Sequence, residues 1–144
     1  MFTTFSDAAS INVAFHAHHS TDPVNVASHG TIVYNVVTTN IGNAYNRNSG
    51  YFTAPVSGTY VFFANCMAVA SSEEEVYISQ DGKKGIAVCY SNRPLASPYE
   101  QGSTSVTTHV LKGQKVWTSI VQNSENIRGN LWSTFSGFLV KPDA

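Results

Sequence analysis

Between Asn40 and Phe62 the chain reads N-I-G-N-A-Y-N-R-N-S-G-Y-F-T-A-P-V-S-G-T-Y-V-F. Two physical features of this run restrict what the chain can fold into. Its glycines mark places where the backbone can take a positive φ and turn sharply, and Pro55 stops any strand before it because proline cannot donate to a ladder. Gly58 then turns the chain into its longest strand candidate, Thr59 to Ala70. Tyr60, Phe62, Ala64, Cys66 and Ala68 alternate there with Val61, Phe63, Asn65, Met67 and Val69. This is the period of two expected of a strand. Both faces are largely apolar, so the strand is expected to be central and covered on each side.

The same punctuation recurs along the chain, and helical periodicity is almost absent, which predicts an all-β domain. Val13, Phe15 and Ala17 alternate with Asn12, Ala14 and His16, as an outer strand with one buried face would. A strand is expected over 32–38 and a short one over 51–53. Val76 to Gln80, the Asp81-Gly82 turn and Gly85 to Tyr90 make the clearest hairpin. The segment from Ser91 to Gly102, with Pro94 and Pro98, reads as a surface loop. Thr104 to Val110 alternates again, Val116 to Val121 follows, and Leu131 to Val140, carrying Trp132, Phe135, Phe138 and Leu139, reads as a terminal strand lying within a sheet or a subunit contact. At 144 residues there is room for one buried core. We expect an N-terminal extension over 1–11 and a single domain over 12–144. Nine or ten strands in one chain of this size require a two-sheet sandwich or a barrel, with a jelly roll as the middle option.

Charged residues are only 12% of the chain and the formal net charge is -1. The surface is therefore expected to be rich in Ser, Thr, Asn and Gln, or to be partly covered in an oligomer. No basic run of the kind that tracks a phosphate backbone is present, which argues against a nucleic-acid partner. No apolar run approaches the roughly 20 residues a membrane helix needs, and Met1 to Ala14 lacks the basic start and apolar middle of a signal peptide. The two cysteines, Cys66 and Cys89, are too few for a disulfide framework or a thiolate metal site. Their spacing permits a bridge without requiring one; two buried thiols packing as small hydrophobes is the expectation.

Asn40, Tyr45, Phe52, Gly58, Tyr60 and Phe62 resemble, in identity and spacing, the signature of the complement C1q-type globular domain. F-T-A-P-V-S-G-T-Y-V-F is the strongest part, and F-S-G-F-L-V at Phe135 to Val140 is similar to the family's last strand. The similarity runs from about Val13 to Val140, and Tyr34 departs from it, standing where the family usually has Phe. The resemblance implies a ten-stranded, two-sheet jelly roll related to tumour necrosis factor and assembled as a trimer, here expected to be a homotrimer, and it implies a secreted, extracellular protein. It also suggests that Tyr60 could stand near a threefold axis, although Phe52 and Phe62 read as core. No collagen-type G-X-Y repeat occurs in the sequence, so the chain looks most like the short stalkless members found among invertebrate innate-immune lectins.

Little in the sequence points to catalysis. No G-x-S-x-G elbow or local Cys/His signature is present, and a non-enzyme is expected. His16, His18, His19 and His29 lack a third ligand at a diagnostic spacing; ordinary solvated or locally bonded histidines are expected, with a pH effect on assembly as a hypothesis. Glu73-Glu74-Glu75 raises calcium as a possibility because some family members bind it, but three consecutive carboxylates more often form a solvated turn. We therefore expect no cofactor. Asp81-Gly82-Lys83-Lys84 reads as a charged hairpin tip. A glycan needs amides, hydroxyls and a ring for stacking, with trimerisation multiplying weak contacts. Candidate contacts are Tyr90, Ser91, Asn92, Arg93, Tyr99, Gln122, Asn123, Asn126 and Arg128, with an arginine pairing the carboxylate of sialic acid or another acidic sugar. The preferred reading is a trimeric pattern-recognition lectin of innate immunity for microbial or acidic carbohydrates. The alternative is a trimeric protein-binding ligand or scaffold acting on a receptor.

Overall fold

A computed structural model describes residues 10–93, 99–120 and 125–144. Eleven strands are present: β1 (Ala14–His18), β2 (Val24–Val26), β3 (Val36–Ile41), β4 (Phe52–Thr53), β5 (Gly58–Cys66), β6 (Ser72–Gln80), β7 (Lys83–Arg93), β8 (Gly102–Val110), β9 (Lys115–Ile120), β10 (Glu125–Ile127) and β11 (Thr134–Pro142). They form a five-stranded sheet in the order β3-β1-β11-β5-β8, a four-stranded sheet in the order β4-β9-β6-β7, and a small β10-β2 pair. All pairings are antiparallel. The two larger sheets make the sandwich of a jelly roll.

An aromatic core fills the space between them. Phe15 packs on Tyr45, Phe52, Phe62 and Phe135, with ring centroids 4.9–6.3 Å apart. Tyr45 is held by its hydroxyl, which donates to the Tyr34 carbonyl at 2.9 Å and accepts from the Tyr34 N–H at 3.0 Å. Burial pushes the phenols of Tyr34 and Tyr45 well above their ordinary pKa, because an ionised oxygen there would lose its water. The extra hydroxyl of Tyr34 is satisfied by Thr118 Oγ1 at 2.9 Å. Tyr60 is also fully buried, its hydroxyl donating to the Val56 carbonyl at 2.6 Å. It is a core residue and does not stand on an open face.

Several expectations need correction. The segment from Ala14 is internal to its sheet, between β3 and β11, and β3 is the edge. The strand expected over 32–38 begins only at Val36, with Ile32 and Tyr34 anchoring an extended approach to it. β5 is central but ends at Cys66, and its second face is open: Phe63 is 40% exposed and lies in a stacked arrangement with Phe138, 6.2 Å away. Glu73–Glu75 lie in β6 rather than in a turn, with Glu74 buried between two outward neighbours. Cys66 and Cys89 form a disulfide linking β5 to β7, and so one sheet to the other. Both thiols had looked unconstrained because sequence spacing does not reveal that each points inward from opposite layers.

Candidate functional site

At one end of the sandwich, residues from two stretches far apart in sequence meet. β7 delivers Arg93, the approach to β8 delivers Tyr99, the chain leaving β10 delivers Arg128, and the turn before β11 delivers Trp132. Tyr99 and Trp132 stack with centroids 5.3 Å apart and planes 3° from parallel. The Arg93 guanidinium lies 4.9 Å from the Tyr99 centroid, and that of Arg128 lies 5.3 Å from Tyr99 and 5.4 Å from Trp132. Each such contact contributes about 0.5–2 kcal/mol, according to how dry it is.

Asp22, just ahead of β2, fixes the arrangement. Its carboxylate accepts from Arg128 Nε and Nη2 at 2.8–3.1 Å and from the Gly129 N–H at 2.9 Å. The Arg128 hydrogen bond is the main reason the Asp22 carboxyl is held below its ordinary pKa, and the same bond raises that of Arg128. Gly129 is required here, since a Cβ would run into the Thr21 carbonyl. Arg93 is almost wholly buried and donates from Nη1 to the Ala68 carbonyl at 3.0 Å. Gln101 Nε2 donates to the Trp132 carbonyl at 2.8 Å and closes the cluster from below. Tyr99 is 62% exposed, Leu131 67% and Trp132 37%. Two rings and an aliphatic side chain are thus presented to solvent on a cationic, internally braced base.

The structure therefore brings together Arg93, Tyr99 and Arg128. It places Tyr90, Asn92 and Asn126 elsewhere. Tyr90 lies on the outward face of β7, its hydroxyl donating to Glu73 Oε2 at 2.9 Å, and this bond raises its pKa. Asn92 stands opposite Glu73 on β6. Ser91 points inward, accepting from the Ala68 N–H at 3.0 Å and donating to the Glu100 carbonyl at 2.8 Å, so it braces the loop base. Asn126 Oδ1 accepts from Asn25 Nδ2 at 3.1 Å on the β10-β2 pair. Gln122 and Asn123 lie outside the described residues. The sequence reading missed Trp132 and Leu131 because an apolar run was assigned whole to the last strand, which begins only at Thr134. The Gly129-Asn130 pair just before them was the available turn signal.

The histidines do not converge. His16 and His18 are half-buried on one side of β1. His19 is buried against Tyr34, 4.7 Å between ring centroids, and burial pushes its pKa down to about 4. Among the described residues no group of three or more His, Cys, Asp or Glu side chains is placed to hold a metal ion, and no helix is long and apolar enough to cross a membrane.

Comparison with known proteins agrees with the fold. The C1q domain family model matches residues 14–140. Among curated proteins, Caprin-2 of Danio rerio is 29% identical over 135 residues, covering 92% of this chain and 14% of that protein. Complement C1q tumor necrosis factor-related protein 3 of Homo sapiens is 30% identical over 130 residues, covering 90% and 52%. The chain thus spans about half, or much less, of the length of these relatives. Among solved structures, the globular domain of zebrafish complement 1qA protein superposes with a TM-score of 0.76 at 17% identity, covering 91% of this chain and 99% of that one. The Eiger TNF structure from S. frugiperda also gives 0.76, at 10% identity and 94% and 96% coverage.

Proposed function

Because the chain belongs to the C1q domain family, we propose that it is an extracellular, non-enzymatic, homotrimeric ligand or scaffold that engages a protein partner. The observation that carries this reading is the braced surface of Tyr99 and Trp132 over Arg93 and Arg128, with the exposed Leu131 next to Trp132 in sequence. Aromatic rings and arginines held in a rigid setting are the residue types that dominate protein-protein binding energy. The carbohydrate reading of the same loops has less support. The Nε and Nη2 donors of Arg128 are already spent on Asp22, and Arg93 is buried against a main-chain carbonyl.

Trimerisation is supported by the open face of the five-stranded sheet. Phe63 and Phe138 stack there, and Val140 and Ile41 are more than half exposed. Its remaining outward positions are largely small and uncharged, as Ser105 and Thr107 of β8 illustrate. A face of this kind is stable in water when another subunit covers it.

Binding of labelled protein to extracellular surfaces tests the partner class. Saturable binding that is lost after protease treatment of the surface, survives glycosidase treatment, and is lost with Tyr99→Ala or Trp132→Ala is expected. Binding lost only to glycosidase or to free sugar, and indifferent to these substitutions, would return the protein to the lectin reading.

A further inference from the structure

The inward alternation of β1 runs one residue past the strand. Val13, Phe15 and Ala17 are buried, and the next inward position is His19, 2% exposed, where the pattern calls for an apolar side chain. Its ring packs on Tyr34 with centroids 4.7 Å apart, and among the described residues its Nε2 has no hydrogen-bond partner. A neutral imidazole tolerates this setting. A proton on Nε2 would find neither water nor an acceptor there, so charging the ring favours its leaving the core.

The stretch that follows His19 is the seat of the Tyr99–Trp132 surface. None of the residues from 20 to 25 is buried, so the His19 ring is what anchors this stretch in the core. The stretch in turn holds residues 128–130 through its polar groups. The His19 N–H donates to the Asn130 carbonyl at 3.2 Å, the Asn130 N–H to the Thr21 carbonyl at 3.1 Å, and the Gly129 N–H to Asp22 Oδ1 at 2.9 Å, beside the Asp22–Arg128 pair. Trp132 continues the run, its N–H donating to the Gly129 carbonyl at 3.0 Å. The position of the His19 ring is thereby coupled, through contiguous hydrogen bonds, to that of Arg128 and Trp132.

We propose that His19 is an acid-operated latch on the Tyr99–Trp132 surface: its neutral ring docks residues 19–22 on the core and holds the chain from Arg128 to Trp132 in place, and its protonation undocks that stretch and loosens the surface. The inference rests on the reading of that surface as the partner site and supplies its regulation, so that a partner held near neutral pH is released in acid. The groups around the ring favour this sense. Tyr34 stays neutral, because burial raises its phenol, and so does Tyr45 behind it. His18, whose Nδ1 donates to the His19 carbonyl at 3.1 Å, opposes a second positive charge. The carboxylate of the stretch, Asp22, bonds to Arg128 and Gly129. Burial first, and His18 second, hold the docked ring to a pKa of about 4, against 6.5 for a ring in water. The penalty on the docked state is therefore absent well above pH 6.5, grows as pH falls through that value, and levels off below about 4. Between about pH 7.5 and 5 it multiplies the undocked population by about 30, while Asp22, held below its ordinary pKa chiefly by the Arg128 hydrogen bond, stays ionised.

Amide hydrogen exchange followed by NMR on the intact protein, with no partner present, tests the latch. It is read as protection factors, which remove the intrinsic pH dependence of exchange. From about pH 7.5 to 5, protection of the Gly129, Asn130 and Trp132 amides is expected to fall by about 30-fold, while that of amides at the centre of β5 changes by less than about threefold. His19→Phe keeps a ring that cannot take a proton, and should hold protection of the same three amides within about threefold over this range. The His19 ring of the wild type should itself titrate below about pH 5. An unchanged wild-type profile, an equal loss of protection in His19→Phe, a parallel loss across β5, or a His19 ring that titrates near its ordinary value would each overturn the proposal. The ring titration needs no variant, so the test stands even where His19→Phe does not fold. Failure of the labelled protein to bind through Tyr99 and Trp132 would refute the partner reading and leave the latch standing, whereas a flat exchange profile would refute the latch alone.

Discussion

Replacing Asp22 by Asn tests how the candidate surface is held. The native carboxylate accepts three contacts from Arg128, at 2.8, 2.9 and 3.1 Å, and one from the Gly129 N–H at 2.9 Å. The pair is mostly shielded, with side-chain exposures of 20% and 19% for Arg128 and Asp22. Charge-assisted bonds of this geometry contribute about 1.5–3 kcal/mol when dry, and screening at a surface rim lowers this, so a net loss of about 1–2 kcal/mol is expected at pH 7. The pH dependence has a definite sign. Because the folded protein holds Asp22 below its ordinary pKa, chiefly through the Arg128 hydrogen bond, the contribution is complete above the ordinary carboxylate value near 4. It is lost as pH falls through the lower, folded value. Urea unfolding of both proteins at several values between pH 2.5 and 7 measures it. The stability gap between wild type and Asp22→Asn should be constant from pH 5 to 7 and shrink below about pH 4. A gap under about 0.5 kcal/mol at pH 7, or one that persists unchanged at pH 2.5, would refute the role given to this pair.

Other perturbations probe the remaining parts of the account. Phe63→Asp or Phe138→Asp places a charge on the open sheet face and should convert a trimer to monomers in sedimentation equilibrium, while near-ultraviolet circular dichroism stays close to native. His16 shares that face, half-buried, and burial holds its pKa below the ordinary histidine value; protonation adds charge there, so the trimer should weaken between pH 7.5 and 5, and a flat profile would count against it. Removing the Cys66–Cys89 bridge, which closes a separation of 23 residues, should cost about 3 kcal/mol on the chain-entropy model, read as a lower denaturation midpoint for Cys66→Ala/Cys89→Ala.

The aromatic core was legible because it obeys alternation. Tyr60 and Phe62, two residues apart on β5, and Phe52 beyond Pro55, are all buried as their spacing implied. The Asp81-Gly82 hairpin was legible for the same local reason. Features that depend on which layer faces which were not. Inward orientation of Cys66 from one sheet and Cys89 from the other is a property of the sandwich, and Phe63 is left open because the second sheet covers only one side of β5. The cluster at Arg93, Tyr99, Arg128 and Trp132 spans distant segments, and its keystone, Asp22, just ahead of β2, is far in sequence from all of them. Sequence chemistry identified three of its members as recognition residues, but the bidentate pair that occupies Arg128 is visible only once β2 and β10 lie side by side.

The central claim is that a trimer presents the Tyr99–Trp132 surface to a protein. Surface binding of wild type and Trp132→Ala, each first shown to sediment as a trimer, tests it most directly. The account predicts a loss of at least about tenfold in affinity for the Trp132→Ala trimer, as for a buried aromatic anchor, with binding abolished by protease treatment of the target. Equal affinity of the two trimers, or a wild-type protein that sediments as a monomer at every concentration, would contradict it.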